Sequence, residues 1–297
     1  MNPSTIYDSI TDALLAKMEE ADLNGSCVRW SGQGTSAMPM NMVSKKAYSG
    51  VNVLMLWIAS SVAGHSSPYW VTYKQATALG GNVKKGEKGT HIVYFSPLIK
   101  SEINKTTGQS EDRTIPMLKQ YVVFNADQCE GLPVCADTVK AVFDPIAEAD
   151  RIFQASGAKI VDGGITACYN RRTDIISMPD RDRFEKSEFY YATLAHELTH
   201  WTGAIDRCDR QHGKRFGDDA YAFEELVAEI GASFLCADLG LLPATLTDHA
   251  IYLKSWIKVL KNDKKAIFTA ASQASKAHQF IMSKVGAVES DQIQEAA

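Results

Sequence analysis

The stretch Tyr190-Tyr191-Ala192-Thr193-Leu194-Ala195-His196-Glu197-Leu198-Thr199-His200-Trp201 constrains this chain more than any other. It contains His-Glu-x-x-His. Residues four apart on an α-helix differ by about 40° around its axis. His196 and His200 therefore project from one face, one turn apart, placed to share a metal ion, and Glu197 beside them can reach a water on that metal. The flanks suit a helix: Ser187-Glu188 starts it, an apolar run carries it and Thr202-Gly203 stops it.

Two imidazoles do not make a tight zinc site. A third protein ligand is needed, with water in the fourth position if the site is catalytic. A long helix predicted over residues 220–239 supplies Glu224, Glu225 and Glu229. Glu225 and Glu229 are four apart and share a face, so either can be the ligand while the other orients a histidine; Glu224 is expected to face elsewhere. The chemistry expected of a Zn2+ ion here, or another divalent transition metal, is hydrolysis: the metal lowers the pKa of a bound water, and Glu197 takes its proton and passes it to a leaving amine. Arg207, His212 and Tyr221 are candidates for stabilising an oxyanion. A metal held for structure alone, without turnover, is the competing reading of the same motif.

The rest of the chain reads as an α+β protein of two parts, divided near residue 140: a small α+β domain over residues 1–140 and a metal-motif domain over 141–297. Helical spacing is expected over 3–22, in a buried run at 51–58, and over 74–79. Strands are expected at 91–95 and 118–125, joined by an exposed tip over 100–114. In the second part a helix over 146–156 precedes strands near 159–161, 167–169 and 174–178. The last of these, 175–178, is expected to be the edge strand beside the motif helix, where a peptide could pair by strand addition. Helices near 246–262 and 264–284 close the chain, with a frayed polar tail after Val285.

Charge divides the chain as well. Residues 25–100 hold eight Lys and Arg against a single acid, Glu87, a local balance of +7 that leaves −11 on the remainder of a chain of net charge −4. Aromatic side chains interleave with these cations, a mixture that suits single-stranded nucleic acid, where cations track phosphates and rings stack on bases. The candidate contacts are Trp30, Lys45, Lys46, Tyr48, Trp70, Tyr73, Lys74, Lys84, Lys85 and Lys88, whereas Trp57 and Phe95 are expected in the core. Duplex DNA is attracted by the same charge. None of the six cysteines forms a C-x-x-C pair, and no leader is apparent, so reduced thiols and a cytoplasmic location are expected. The longest apolar stretch, 51–63, is too short to span a bilayer, and no membrane partner is expected.

Two resemblances add to this. Glu229-x-x-Ala232-x-x-Leu235-Cys236-Ala237-Asp238-Leu239 resembles the third-ligand stretch of ImmA-like metallopeptidases, which implies Glu229 as the ligand. The rival alignment, Glu225-x-x-Ala228-Glu229, is similar to another zincin group and implies Glu225; the longer match favours Glu229. Over most of its length the chain also resembles the ArdC-type antirestriction family. The motifs that carry this are Tyr48-Ser49-Gly50-Val51-Asn52-Val53-Leu54, Trp70-Val71-Thr72-Tyr73-Lys74-Gln75-Ala76, Gly80-Gly81-Asn82-Val83-Lys84-Lys85-Gly86-Glu87-Lys88, the motif helix through Gly203, Arg215-Phe216-Gly217 and residues 221–229. That resemblance implies a single-stranded DNA-binding domain followed by a zincin-like metallopeptidase domain, carried by conjugative plasmids and protecting incoming DNA from host restriction. Host restriction proteins are then possible targets of the metal site.

Overall fold

A computed structural model describes residues 3–23, 37–103, 110–133, 145–210, 219–241 and 249–295. Helix α1 (Pro3–Leu23) buries Ile6, Ile10, Leu14, Leu15 and Met18 along one stripe. These side chains share a core with Val51, Leu54 and Trp57 and with Val93. Their main packing is against residues far along the sequence, Leu253, Trp256, Leu260, Ile267 and Phe268. Thr11 Oγ1 donates to the Lys264 carbonyl at 2.6 Å, and Tyr7 meets Phe268 edge-on at 4.6 Å.

The N-terminal strands are β1 (Met40–Asn41), β2 (Tyr69–Val71), β3 (Asn82–Val83), β4 (Thr90–Ile103), β5 (Ser110–Asn125) and β6 (Cys129–Glu130). Four of them form a sheet of order β1-β2-β5-β4; β3 pairs with β6. Helix α2 (Val51–Ala63) lies against β4, and α3 (Tyr73–Ala78) follows β2 directly. The turn into α3 is set by Thr72, whose hydroxyl accepts from Gln75 N while the Gln75 side chain accepts from Thr72 N, a reciprocal cap. Strand β4 is at the sheet margin, and Asn52 of α2 covers it: its Nδ2 donates to Val93 O and its Oδ1 accepts from Val93 N, both at 2.8 Å. One side-chain amide thus stands in for the next strand.

The β4–β5 ribbon is longer than expected. It pairs without interruption from Thr90↔Val123 to Ile103↔Ser110, so the tip predicted over 100–114 shrinks to 104–109, which lie outside the described residues. Pro97 and Pro116 make this region read as broken. They sit opposite each other in a two-stranded stretch, where a missing N–H can face outward at no cost.

The second part contains α4 (Pro145–Ala155), β7 (Lys159–Val161), β8 (Cys168–Asn170), β9 (Ile175–Ser177), α5 (Ser187–Trp201), α6 (Asp219–Leu239), α7 (His249–Asn262) and α8 (Ala266–Glu295). Its sheet has order β7-β9-β8, with β7 and β9 parallel and β8 antiparallel. This corrects one expectation: β9 is the central strand, and β7 and β8 are the edges. The frayed tail is also corrected, because α8 continues to Glu295; the residues after Val285 include the good helix formers Ala287, Glu289, Gln292, Gln294 and Glu295. The expected boundary near residue 140 lies outside the described residues.

Helix α5 is buried around nearly its whole circumference, between the small sheet and α6. The close approach of α5 and α6 depends on Gly231: a Cβ there would lie 2.6 Å from Thr199 Cγ2. Helix α6 belongs to both large cores. Leu226, Ile230 and Phe234 join α1, α2, α7 and α8, while Ala232, Leu235 and Leu239 join α4, β9 and α5. Trp57 of α2 meets Phe234 at 5.8 Å, and Gly50 N donates to Ser275 Oγ at 2.8 Å. The N-terminal sheet is thereby anchored to the helices of the second part. Among the described residues no helix is long and apolar enough to cross a membrane.

Candidate metal centre

Helix α5 presents His196 and His200 toward α6, as the four-residue spacing requires. Their Nε2 atoms face each other at 3.1 Å. Glu225 of α6 completes the group: its Oε2 lies 3.4 Å from His196 Nε2 and its Oε1 lies 3.5 Å from His200 Nε2. Ligand atoms that share a tetrahedral metal at about 2.0–2.1 Å sit about 3.3–3.4 Å apart. The three separations match that edge length, and the donor set of two imidazoles and a carboxylate is one that zinc and similar ions accept. Among the described residues, His196, His200 and Glu225 form a group able to hold a metal ion.

The structure brings Glu225, rather than the favoured Glu229, to the converging nitrogens. Glu229 Oε2 lies 3.8 Å from Nδ1 of His196, on the opposite side of the ring from the converging nitrogens. One turn of helix separates the two glutamates, and α6 crosses α5 such that the earlier one reaches the shared point. Glu224 does not face elsewhere. Its Oε1 lies 3.3 Å from His200 Nδ1, and Arg210 grips its carboxylate. A helical wheel misses this because the two faces of an imidazole are reached from different sides of the partner helix. Arg210 carried no signal at all in the sequence.

The electrostatics follow from three buried carboxylates around two buried rings. Burial alone would depress the imidazoles. Glu225 and Glu229 overcome it at His196, holding its pKa well above the usual value, and Glu224 and Glu225 raise His200 to about 9. In return, and against burial, His200 and Arg210 hold Glu224 at about 2, and the two histidines hold Glu225 far below the usual carboxylate range. Without metal, protons occupy the imidazoles.

Glu197 points the other way, to the edge strand. Its Oε2 accepts the Tyr169 N–H of β8 at 2.7 Å. A backbone donor has no side-chain signature, so the sequence could not name it. The β8–β9 hairpin is itself pinned to the end of α5. Asp174, with φ of 53°, binds both Nη atoms of Arg207 at 2.6 and 3.1 Å, and Arg207 Nε donates to Trp201 O at 2.7 Å. Arg207 also lies over the Trp201 ring and contacts Tyr169 Oη. Through these partners Arg207 clasps the hairpin to the end of α5. His212 lies outside the described residues.

The basic half is sorted by exposure. Lys45, Lys46, Tyr73, Lys74, Lys84, Lys85 and Lys88 are exposed, with Lys45 lying over the Tyr69 ring at 4.5 Å. Lys84 is engaged, donating to Asp127 O at 2.8 Å. Trp70 is only 1% exposed, packed with Leu56, Ile92 and Val123, which removes it from the candidate contacts. Tyr48 is half-buried beside the same core. Trp57 is buried as expected; Phe95 is not, at 49% exposure, because it lies on the ribbon beyond the end of α2's cover. Trp30 lies outside the described residues.

Known proteins share this combination. Residues 4–124 match the family described as the N-terminal domain of anti-restriction factor ArdC, and residues 147–273 match a zincin-like metallopeptidase family. The crystal structure of the antirestriction ArdC protein from plasmid R388, in its metal-free form, superposes with a TM-score of 0.78 at 43% identity, covering 94% of this chain and 97% of that one. The chain belongs to the ArdC antirestriction family. The Mn(II)-bound structure of the same R388 protein gives a TM-score of 0.76 at 41% identity, over the same shares of the two chains. The uncharacterized protein y4eC of Sinorhizobium fredii is 35% identical over 300 residues, 99% of this chain and 97% of its own length. A DNA primase TraC of Escherichia coli is 37% identical over 279 residues, but that match takes in only 18% of the primase. The ArdC fold is therefore found both as a near-complete chain and as a segment of a much larger protein.

Proposed function

We propose that this ArdC-family protein protects incoming DNA from host restriction by binding it in single-stranded form through its basic N-terminal half, while holding a divalent transition metal at His196, His200 and Glu225. The functional division runs near residue 140: residues 1–140 for DNA, 141–297 for the metal. The observation that carries the reading is the convergence of three ligand atoms at tetrahedral spacing on one side of the two imidazoles. Zinc suits the donor set best, and the Mn(II)-bound relative supports a site that also takes manganese. The exposed Lys45, Lys46, Tyr73, Lys74, Lys85 and Lys88 are the proposed DNA contacts. Lys84 adds charge to the same surface while tied to Asp127 O.

A second reading makes the protein a DNA-tethered protease that cuts restriction components or other DNA-bound proteins. Glu197 favours it. The carboxylate is not one of the three ligands; it is buried beside them and fixed by the Tyr169 N–H on Oε2, which leaves Oε1 for proton transfer. A divalent ion bound there supplies Lewis acidity toward a water or a carbonyl oxygen. Strand β8 would carry an extended substrate past Glu197, and DNA binding would raise the local concentration of targets. A restriction-protection assay with Glu197→Ala beside wild type separates the two. The variant keeps its metal. Protection that survives supports the binding reading; protection that is lost, with DNA affinity unchanged, supports the protease.

A further inference from the structure

A buried ion pair lies between the two helices that carry the proposed ligands, and neither reading uses it. Arg210 is 7% exposed and Glu224 is 3% exposed. Arg210 donates from Nε and Nη2 to the Glu224 carboxylate at 3.1 and 2.8 Å. Its other donors go to the last turn of α5: Nη2 to Thr199 O at 2.6 Å and Nη1 to Thr202 Oγ1 at 2.7 Å. Its backbone N–H bonds to Gly203 O at 3.0 Å. The turn that returns Arg210 to the protein interior runs through Asp209, whose φ of 45° is left-handed. A backbone conformation that side chains disfavour is used to aim this guanidinium inward.

Stability is a poor reason for such a pair, because buried ion pairs often do no better than well-packed apolar side chains. Position is a better one. Glu224 Oε1 faces Nδ1 of His200 at 3.3 Å. A carboxylate only accepts, so it requires a proton on Nδ1, and this directs the Nε2 lone pair toward His196 and Glu225. The carboxylate is kept in that pose by Arg210, which donates from Nε to Oε2 at 3.1 Å and from Nη2 to Oε1, the oxygen that also faces His200, at 2.8 Å. His196 has no equal support: its Nδ1 is buried without a hydrogen-bond partner, and Glu229 stays at 3.8 Å.

We propose that Arg210 and Glu224 are positioning residues for His200, acting as one unit that fixes its tautomer and aims Nε2 at the metal. This rests on the metal reading of His196, His200 and Glu225. The test is titration of the full-length protein with Mn(II), together with 15N NMR of the Zn(II)-loaded, histidine-labelled protein to read the His200 tautomer. Glu224→Gln is expected to weaken Mn(II) binding by about 10–100-fold, the range usual for loss of an outer partner of a ligating histidine, and to mix the His200 tautomers. Arg210→Met is expected to give a smaller loss, and the double variant the loss of Glu224→Gln alone rather than the product of the two. If Glu224→Gln does not fold because Arg210 is left half-paired, the double variant, which removes the buried charge, carries the test. Wild-type affinity with an unchanged tautomer in the folded variants overturns the proposal. Binding that survives His196→Ala overturns the metal reading instead.

Discussion

Three glutamates within six residues of α6 serve two rings in three different ways, and the difference is set by which ring nitrogen each one reaches. Glu225 → Ala is therefore expected to reduce Mn(II) or Zn(II) affinity by more than 100-fold, on the order of a lost ligand, whereas Glu229→Ala should cost about tenfold, as an outer partner does; isothermal titration of the two variants decides between them. Protons compete with the metal. In the metal-free protein the surrounding glutamates hold His196 well above its usual value and His200 at about 9, so the site holds a proton at neutral pH. Metal binding must expel protons held there, and apparent affinity should rise with pH and level off above about 9, which titrations at a series of pH values would check. The same shifts set the stability of the metal-free fold. The raised imidazole of His200 contributes fully below its unfolded value of 6.5 and is lost as pH rises through about 9; the depressed Glu224 contributes above 4.5 and is lost as pH falls through about 2. These two groups together favour the interval from 4.5 to 6.5. At this scale His196, Glu197 and His200 were legible because helical spacing dictates them. The choice between Glu225 and Glu229 was not, since it depends on the crossing of two helices.

Helix α6 does at the level of elements what the glutamates do at the level of residues. Its position against α5 is fixed by a missing side chain at Gly231, set against Thr199, whose hydroxyl is already bound to Ala195 O at 2.8 Å and cannot move aside. Gly231→Ala gains up to about 1 kcal/mol of helix propensity. It should nevertheless lower stability by about 1–3 kcal/mol through overpacking and weaken metal binding as Glu225 and Glu229 are pushed back; thermal melts and a Mn(II) titration read both. The small sheet shows why sequence order misleads. Residues 168–170 and 175–177 are equally short, and although 175–177 is the more buried, neither run says by itself which strands lie beside it. The parallel pairing of β9 with β7 settles it, and this depends on where residues 159–161 return in space.

Across the whole molecule, the change of charge along the sequence reads as two parts, yet one apolar core runs through both. Trp57, Phe234 and Trp256 belong to it together. Charge patterning reports surfaces, and surfaces divide where cores need not. Removing residues 1–23 would expose the faces of α7 and α8 that α1 covers. Five buried apolar side chains at about 1.5–3 kcal/mol each are comparable with the entire stability of a domain, so the truncated chain should fail to hold α7 and α8. Calorimetry is expected to show one cooperative transition for the intact protein and none of comparable enthalpy for the truncated one. The partnership of α1 with α7 also sets a clock on synthesis. Helix α1 leaves the ribosome roughly 230 residues ahead of α7, a delay of roughly 10–45 s at ordinary elongation rates of about 5–20 residues per second. Through that interval only the nearer members of the shared core, such as Leu54 and Trp57 of α2, are available to its apolar stripe, and the rest of that stripe stays uncovered until α7 and α8 arrive.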